Sequence, residues 1–197
     1  MYPGTWAQSQ RDKAAVINAA TGEQLTYAEL NARSNQLAQL MWDQGLRPGD
    51  HLALFMENNL RFFEVVWAGL RSGLYVTTVN RYLTAEEGGY IVDNCEAKIC
   101  VTSAHLADVA KDLPQHAPAC ERWLMIGNTV AGYESYEDAI AKHPSNNLAS
   151  EPAGQFMLYS SGTTGRPKGI YRPPLDHQIH EDTGAVGALQ RGLWGFD

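Results

Sequence analysis

Short apolar runs and helix-forming segments alternate at least four times along this chain, and this alternation restricts the fold more than any other feature of the sequence. Short apolar runs are typical of strands that are covered on both faces. The predicted strands are His51–Met56, Tyr75–Val79, Lys98–Thr102 and Trp123–Ile126. Strands that alternate with helices form βαβ units, whose strands are parallel and whose helices cover the sheet. The sequence therefore predicts an α/β fold with a parallel or mostly parallel sheet and helices on both faces.

The starts of two helices are marked by capping boxes, in which a hydroxyl and a carboxylate each satisfy a free backbone donor. Thr26 with Glu29, and Thr84 with Glu87, have the required spacing of three residues. The predicted elements outside the four strands are a hairpin of Lys13–Asn18 and Gln24–Thr26, and helices over 27–45, 60–72, 84–94, 105–113 and 135–142. Gly45, Gly73 and Pro114 are predicted to end helices.

A polar segment rich in Pro, Ser, Asn and Gly, Pro144–Gly154, follows the last of these helices. Such a composition is typical of linkers and subdomain boundaries. We expect an N-terminal α/β subdomain over residues 1–150. Residues 151–197 would then contain a linker strand, a phosphate-binding loop and the start of a further subdomain.

Composition and charge exclude several classes of protein. The 197 residues include 15 Lys and Arg against 22 Asp and Glu, and the net charge of −7 argues against nucleic-acid binding. No stretch approaches the ~18 apolar residues of a membrane span, and residues 1–11 lack the basic and apolar regions of a signal peptide. Cys95, Cys100 and Cys120 form no CxxC pair and predict buried thiols in a reducing compartment. We therefore expect a cytoplasmic protein without a transmembrane segment.

The segment with the most specific chemistry follows a predicted buried strand at Phe156–Tyr159. Residues 160–169 have the sequence SSGTTGRPKG, in which four hydroxyl residues fall within five positions. Glycine lets backbone amides approach an anion closely, and consecutive amides form an anion-binding concavity. Arg166 and Lys168 add positive charge, and ligands of open α/β sheets bind beyond the carboxyl ends of strands. The segment therefore predicts a site for a polyphosphate.

The common phosphate loop, G-x-x-x-x-G-K-[ST], is a different pattern. Pro167 stands where a glycine would precede the lysine, and Gly169 stands where a magnesium-binding hydroxyl would follow it. A P-loop kinase or GTPase is therefore disfavoured. Composition alone leaves open a second interpretation, a Ser/Gly/Thr loop that binds no ligand.

Tyr159–Gly169, YSSGTTGRPKG, resembles the signature loop of the adenylate-forming superfamily, which includes acyl- and aryl-CoA synthetases and peptide-synthetase adenylation domains. Three upstream segments resemble the same family: Leu25–Asn31, Gly45–Asp50 and Ala68–Gly73. Val79–Thr84, together with Glu86 and Glu87, resembles the acyl-CoA synthetase branch. The resemblance extends from about residue 10 to residue 170, and it implies the N-terminal part of the large domain of such an enzyme.

The resemblance implies a two-step reaction. A carboxylic acid attacks the α-phosphate of ATP to give an acyl-adenylate and pyrophosphate, and the thiol of coenzyme A then displaces AMP. ATP, Mg²⁺, coenzyme A and the acid are thus the implied cofactors and partners. Carried over residue by residue, the loop contacts with phosphate are assigned to Ser161, Gly162, Thr163, Thr164, Gly165 and Lys168, with Ser160 and Arg166 beside them.

The family's magnesium-binding glutamate, ribose-binding aspartate and catalytic lysine have no matching motif in this sequence. The resemblance therefore implies catalytic residues beyond residue 197, and we expect the polypeptide to be inactive by itself. Apolar surface left uncovered would cause self-association or a homodimer. An aryl-CoA ligase, a peptide-synthetase adenylation domain and a non-catalytic nucleotide-binding module are the alternatives.

No metal site is predicted. Asp176–Asp182 contains two histidines and three carboxylates, but the histidines are not four residues apart, as helical metal ligands usually are. We expect this segment to be a solvated loop.

Overall fold

The computed structural model describes residues 2–160 and 165–181. Its strands are β1 (Ala14–Ile17), β2 (Gln24–Thr26), β3 (His51–Phe55), β4 (Tyr75–Val79), β5 (Ala97–Ser103), β6 (Arg122–Ile126), β7 (Glu134–Ser135), β8 (Gln155–Phe156), β9 (Leu158–Ser160) and β10 (Lys168–Ile170). Its α-helices are α1 (Pro3–Ser9), α2 (Tyr27–Asp43), α3 (Leu60–Arg71), α4 (Ala85–Asn94), α5 (Ala107–Ala110), α6 (Leu113–His116) and α7 (Tyr136–Ala141), with a 3₁₀ turn at Ala104–Leu106.

The central sheet contains six of these strands in the order β7-β6-β5-β3-β4-β8. Every pairing within it is parallel. The chain passes from β3 to β4 on one side and then returns to β5 on the other side of β3. Two separate antiparallel pairs, β1 with β2 and β9 with β10, complete the strands. The predicted parallel α/β fold is thereby confirmed.

The core has two layers because consecutive side chains of a strand point to opposite faces of the sheet. On β3, Leu52 and Leu54 lie in one cluster, together with buried residues of α2, α3 and α7. Ala53 and Phe55 lie in the other, with α4, α5 and α6. Helices thus cover both faces, as predicted. Among the described helices, none combines the length and the apolar character needed to cross a membrane.

Both predicted capping boxes are present. The hydroxyl of Thr26 accepts from the Glu29 amide at 3.2 Å, and the Glu29 carboxylate accepts from the Thr26 amide at 2.9 Å. Thr84 and Glu87 make the same pair of bonds at 3.3 and 2.9 Å. These bonds from the threonines hold the pKa of both carboxyl groups below its usual value. Gly45 lies just beyond the end of α2 and has a positive φ, a backbone conformation that is strained for residues other than glycine.

The helices differ from the predicted ones in three ways. Helix α1, which packs on α2 through Trp6 and Tyr27 with ring centroids 6.2 Å apart, was not predicted. The predicted helix over 105–113 is wrong, because the segment divides into a 3₁₀ turn, α5 and α6. Pro114 does not end a helix but lies in the first turn of α6. Proline is tolerated there because the first amides of a helix have no partner within it.

The segment predicted as a linker, Pro144–Gly154, is hydrogen-bonded to the helices beside it. The side-chain amide of Asn35 donates to the Ser145 carbonyl at 2.8 Å, and the guanidinium of Arg71 donates to Glu151 at 2.8 Å. The Gly154 amide donates to the Leu70 carbonyl at 2.7 Å. These bonds fix the segment against α2 and α3, and so determine where β8 enters the sheet. The division of the chain near residue 150 stays a prediction.

Candidate functional site

The signature segment, Tyr159–Gly169, begins in β9 and ends in β10, and these two strands form the signature hairpin. Ser160 lies opposite Lys168, and Tyr159 lies opposite Gly169. The signature loop is therefore the connection between the two strands, with Ser160 and Lys168 at its base. Four of the residues predicted to contact phosphate lie outside the described residues: Ser161, Gly162, Thr163 and Thr164.

The buried strand predicted over Phe156–Tyr159 is wrong in two respects, because it is divided at Met157 and because Phe156 and Leu158 are exposed. Phe156 pairs with Val76 in the central sheet, whereas Leu158 pairs with Ile170 in the hairpin. Phe156 and Leu158 are 41% and 50% exposed, so the run is apolar without being buried. An apolar run alone does not reveal which neighbour a strand pairs with. The loop therefore follows β9 of the hairpin, and β9 in turn follows the carboxyl end of β8, which runs parallel to β4 in the central sheet.

The two cations of the signature have different surroundings. The guanidinium of Arg166 lies 3.8 Å from the Glu86 carboxylate and 4.7 Å from the centre of the Tyr90 ring. Lys168 is exposed, and its ammonium has no ion-pair partner in the part of the chain that the structure describes. A Cβ placed on Gly165 would have no atom within 4 Å, so the space beside this glycine is open. Lys168 is thus the described cation of the loop that is available to a ligand.

Helix α4 contacts the hairpin through Glu86, which lies in a segment that resembles the acyl-CoA synthetase branch, and through Tyr90 and Asn94, which the sequence analysis did not single out. The Tyr159 hydroxyl donates to the side-chain oxygen of Asn94 at 2.7 Å, and the Tyr90 hydroxyl donates to the Pro167 carbonyl at 3.4 Å. Glu86, Tyr90 and Asn94 are spaced four residues apart, which places them on one face of the helix. That spacing, directly after a capping box, is the signal that could have identified them.

A second group of polar side chains lies where the neighbouring strands β3 and β5 end. At this point the strand order changes sides, because β4 lies on one side of β3 and β5 on the other. The Glu57 carboxylate accepts from the hydroxyl of Ser103, and from the side-chain amide of Asn59 at 2.7 Å. Partial burial opposes ionisation of Glu57, but these two hydrogen bonds, a further one to its own backbone amide and the nearby His105 together lower its pKa. Asn59 also caps α3 by accepting from the Phe62 amide at 3.1 Å. The side chains here are hydrogen-bonded to each other, so this group holds together the loops that follow β3 and β5.

The described residues contain no group of three or more His, Cys, Asp or Glu side chains that could hold a metal ion. In the Asp176–Asp182 segment, the His177 carbonyl accepts from the Ala153 amide at 2.9 Å. Gln178 forms an isolated bridge with Pro152. The segment is a loop, as predicted, but its backbone is bonded to the linker, and Asp182 lies outside the described residues.

A family model described as "AMP-binding enzyme" matches residues 4–173, the greater part of the chain. The chain belongs to the AMP-binding enzyme family. This match and the relatives below confirm the predicted membership of the adenylate-forming superfamily, in its acyl-CoA ligase branch.

Curated relatives from two organisms illustrate the branch. A crotonobetaine/carnitine–CoA ligase of Proteus mirabilis is 31% identical over 169 residues, which are 80% of this chain and 32% of that protein. The long-chain-fatty-acid–CoA ligase FadD13 of Mycobacterium tuberculosis is 28% identical over 163 residues, which are 79% of this chain and 31% of that protein. The chain thus spans about a third of the length of these relatives.

The fold has a counterpart among solved structures. The anthranilate CoA ligase AuaEII, solved in complex with anthranoyl-AMP, superposes with a TM-score of 0.80 at 23% identity. The superposition covers 98% of this chain and 36% of that protein. This likeness confirms the fold.

Proposed function

We propose that these residues belong to an ATP-dependent acid–thiol ligase, which activates a carboxylic acid as its acyl-adenylate and transfers the acyl group to coenzyme A. The hairpin of β9 and β10 would bind the triphosphate of ATP. One observation carries this assignment. The base of the signature loop places the Ser160 backbone opposite Lys168, whose ammonium has no ion-pair partner among the described residues.

The hairpin's contribution to the first step is electrostatic. When the acid oxygen attacks the α-phosphorus, the bond to the bridging oxygen breaks and negative charge grows on the departing pyrophosphate. A lysine held at the base of the loop, with loop amides and hydroxyls as further donors, stabilises that charge in the transition state. The chain carries a net charge of −7, so the local cation matters for attracting a polyanion.

Magnesium would arrive with the nucleotide. Mg²⁺ is usually held by one or two carboxylates together with substrate phosphates and waters. Glu86, the carboxylate that contacts the hairpin, is engaged by Arg166, and the residues described hold no cluster of metal ligands. We therefore assign no metal ligand within these residues.

A cytoplasmic location is part of the proposal. It is supported by the three cysteines, which are free and buried. Burial raises the pKa of Cys95 to about 11 and that of Cys120 to about 12, which keeps both as unreactive thiols.

The test is ATP–pyrophosphate exchange by the complete protein encoded by the gene, with a panel of carboxylic acids and with coenzyme A added to detect the thioester. Replacing Lys168 by alanine should lower kcat/KM for ATP roughly 10²- to 10³-fold, the effect of removing one preorganised donor to a developing anion. The lysine is exposed, so the stability of the fold should not change.

Lys111→Ala is the matched control, because Lys111 is an exposed lysine in the turn after α5, remote in sequence from the hairpin. Exchange rates equal to wild type in Lys168→Ala, or thioester formation without any release of pyrophosphate, would contradict the proposed role of the hairpin.

A further inference from the structure

We propose that one face of α4, formed by Glu86, Tyr90 and Asn94, is the positioning surface for the signature hairpin. This inference rests on the proposed function, because the hairpin is positioned for the nucleotide that it would bind. In this view Arg166 is a positioning residue that attaches the hairpin to α4, and Lys168 is the cation directed to phosphate.

Helix α4 is well suited to serve as a fixed support. Its first turn is held by the Thr84–Glu87 capping box. Its other side packs so closely on α6 that a Cβ on Gly89 would lie 2.3 Å from the Cβ of His116 and 3.2 Å from the Leu113 carbonyl oxygen. Ile91 and Val92 are buried in the core layer that contains Phe55 of β3. The helix therefore cannot shift with the hairpin without disturbing the core.

The contacts along this face differ in strength. The bond from the Tyr159 hydroxyl to Asn94 is the shortest, at 2.7 Å. Burial, together with the nearby Cys95 and Tyr90, raises the pKa of Tyr159, so its hydroxyl remains a donor even above pH 10, the ordinary pKa of tyrosine. The Tyr90 ring lies under the Arg166 guanidinium, a cation–π contact. The Arg166–Glu86 pair is largely exposed and contributes least, as exposed ion pairs usually do.

Gly169 allows Tyr159 to make this contact. The two residues are opposite each other in the hairpin. A Cβ on Gly169 would lie 2.4 Å from the Cε of Met157 and 3.1 Å from both the Cζ and the hydroxyl oxygen of Tyr159. The tyrosine ring thus crosses the neighbouring strand at the glycine on its way to Asn94. The glycine of the signature thus leaves room for the Met157 side chain and for the tyrosine ring that attaches the hairpin to α4.

Hydrogen exchange of the backbone amides measures this attachment without reference to ATP. The measurement uses the 197-residue chain at a concentration where light scattering shows the monomer mass, and Asn94→Ala and Tyr159→Phe each remove the same hydrogen bond. Each should speed exchange in residues 157–160 and 168–170 about two- to tenfold, the range for one net hydrogen bond, and the double variant should add nothing further. Tyr90→Ala should also speed exchange, whereas Tyr90→Phe, which keeps the ring under Arg166, should have a smaller effect.

Asp93→Ala is the control on the same helix, since the Asp93 carboxylate accepts from the Ala119 amide rather than from the hairpin. Exchange within α4 itself reports whether a variant has disturbed the helix, in which case Tyr159→Phe, which lies outside α4, decides the question. Hairpin exchange at the wild-type rate in both Asn94→Ala and Tyr159→Phe would overturn the proposal.

Kinetics of the complete enzyme then separate positioning from a purely structural role. Asn94→Ala and Tyr90→Ala should raise KM for ATP about two- to tenfold and leave KM for the acid unchanged, and Asp93→Ala should change neither. Faster hairpin exchange with an unchanged KM for ATP, in a protein where Lys168→Ala does impair ATP use, would overturn the positioning role. An unimpaired Lys168→Ala would instead contradict the proposed function, while the exchange data still test the attachment.

Discussion

At the scale of a single residue, the burial of His51 should make the stability of the fold depend on pH. It begins β3, its ring stacks on that of Tyr75 with centroids 4.7 Å apart, and its Nδ1 is buried without a hydrogen-bond partner among the described residues. Burial lowers its pKa below the ordinary value of 6.5, although Glu96 and Asp50 act in the opposite direction. Protonation of His51 therefore opposes folding.

The consequence is a loss of stability in mild acid. Because the folded state has the lower pKa, the unfolded state binds more protons below about pH 6.5, and the free energy of unfolding should fall as the pH decreases through that range. We expect His51→Phe, which can keep the stacking on Tyr75, to reduce this slope in denaturant titrations between about pH 7.5 and about pH 5.5. His180→Gln, at an exposed position, should leave it unchanged. An identical slope in His51→Phe and wild type would refute this.

At the scale of elements, a buried guanidinium joins α3, α2, the linker and Tyr2, the residue that precedes α1. Arg71 is fully buried, and it donates to the Glu151 carboxylate at 2.8 Å and to the Ser34 hydroxyl at 2.8 Å. It also donates to the side-chain oxygen of Asn31 at 2.8 Å and to the hydroxyl of Tyr2. Burial raises the pKa of Tyr2 to about 12, against the effect of Arg71. The network fixes the linker that leads into β8.

Removing one partner of this pair should be costly. Arg71→Met or Glu151→Gln leaves the other group buried without its counterpart, and each should lower the free energy of unfolding by roughly 3–5 kcal/mol. The double variant should lose less than the sum of the two, which identifies the pair as coupled. Arg122→Met is the comparison, because its partner Glu134 is largely exposed and the pair should contribute about 1 kcal/mol or less. Denaturant unfolding measures all four, and equal losses in Arg71→Met and Arg122→Met would disprove the assignment.

At the scale of the whole molecule, apolar side chains are grouped at the β8 edge of the sheet. Phe156, Leu158, Ile170 and Leu175 are each 41–50% exposed and line one groove. β8 pairs with β4 on one side, and within residues 2–160 and 165–181 no strand covers its other side. An open strand edge beside apolar side chains favours association with another chain.

We therefore expect the 197-residue polypeptide to self-associate through this edge. Its mean mass in light scattering should rise with concentration, and Leu158→Lys combined with Ile170→Lys should suppress the rise. Ile17→Lys, which changes an exposed apolar residue of β1, is the control and should not suppress it. A constant monomer mass over a wide range of concentration would show that the edge does not mediate association.

Local patterns predicted much of this molecule, and their failures have physical causes. The strands β3 to β6 and the caps at Thr26 and Thr84 depend on residues close together in sequence, and these were confirmed. The division at Met157 was missed because Phe156 and Leu158 look alike in sequence but pair with different partners. Pro114 was misjudged because the same residue can end one helix or begin another.

The sequence by itself determined the alternation of strands and helices, the ends of the main helices and the family signature, since these properties depend on neighbours within a few residues. Tertiary structure decided that Arg71 meets Glu151 across 80 positions and that Tyr159 meets Asn94 across 65. It also decided that Arg166 faces α4 while Lys168 has no ion-pair partner among the described residues. The physical reason is that such contacts arise only when the βαβ crossovers bring distant segments together in the packed molecule.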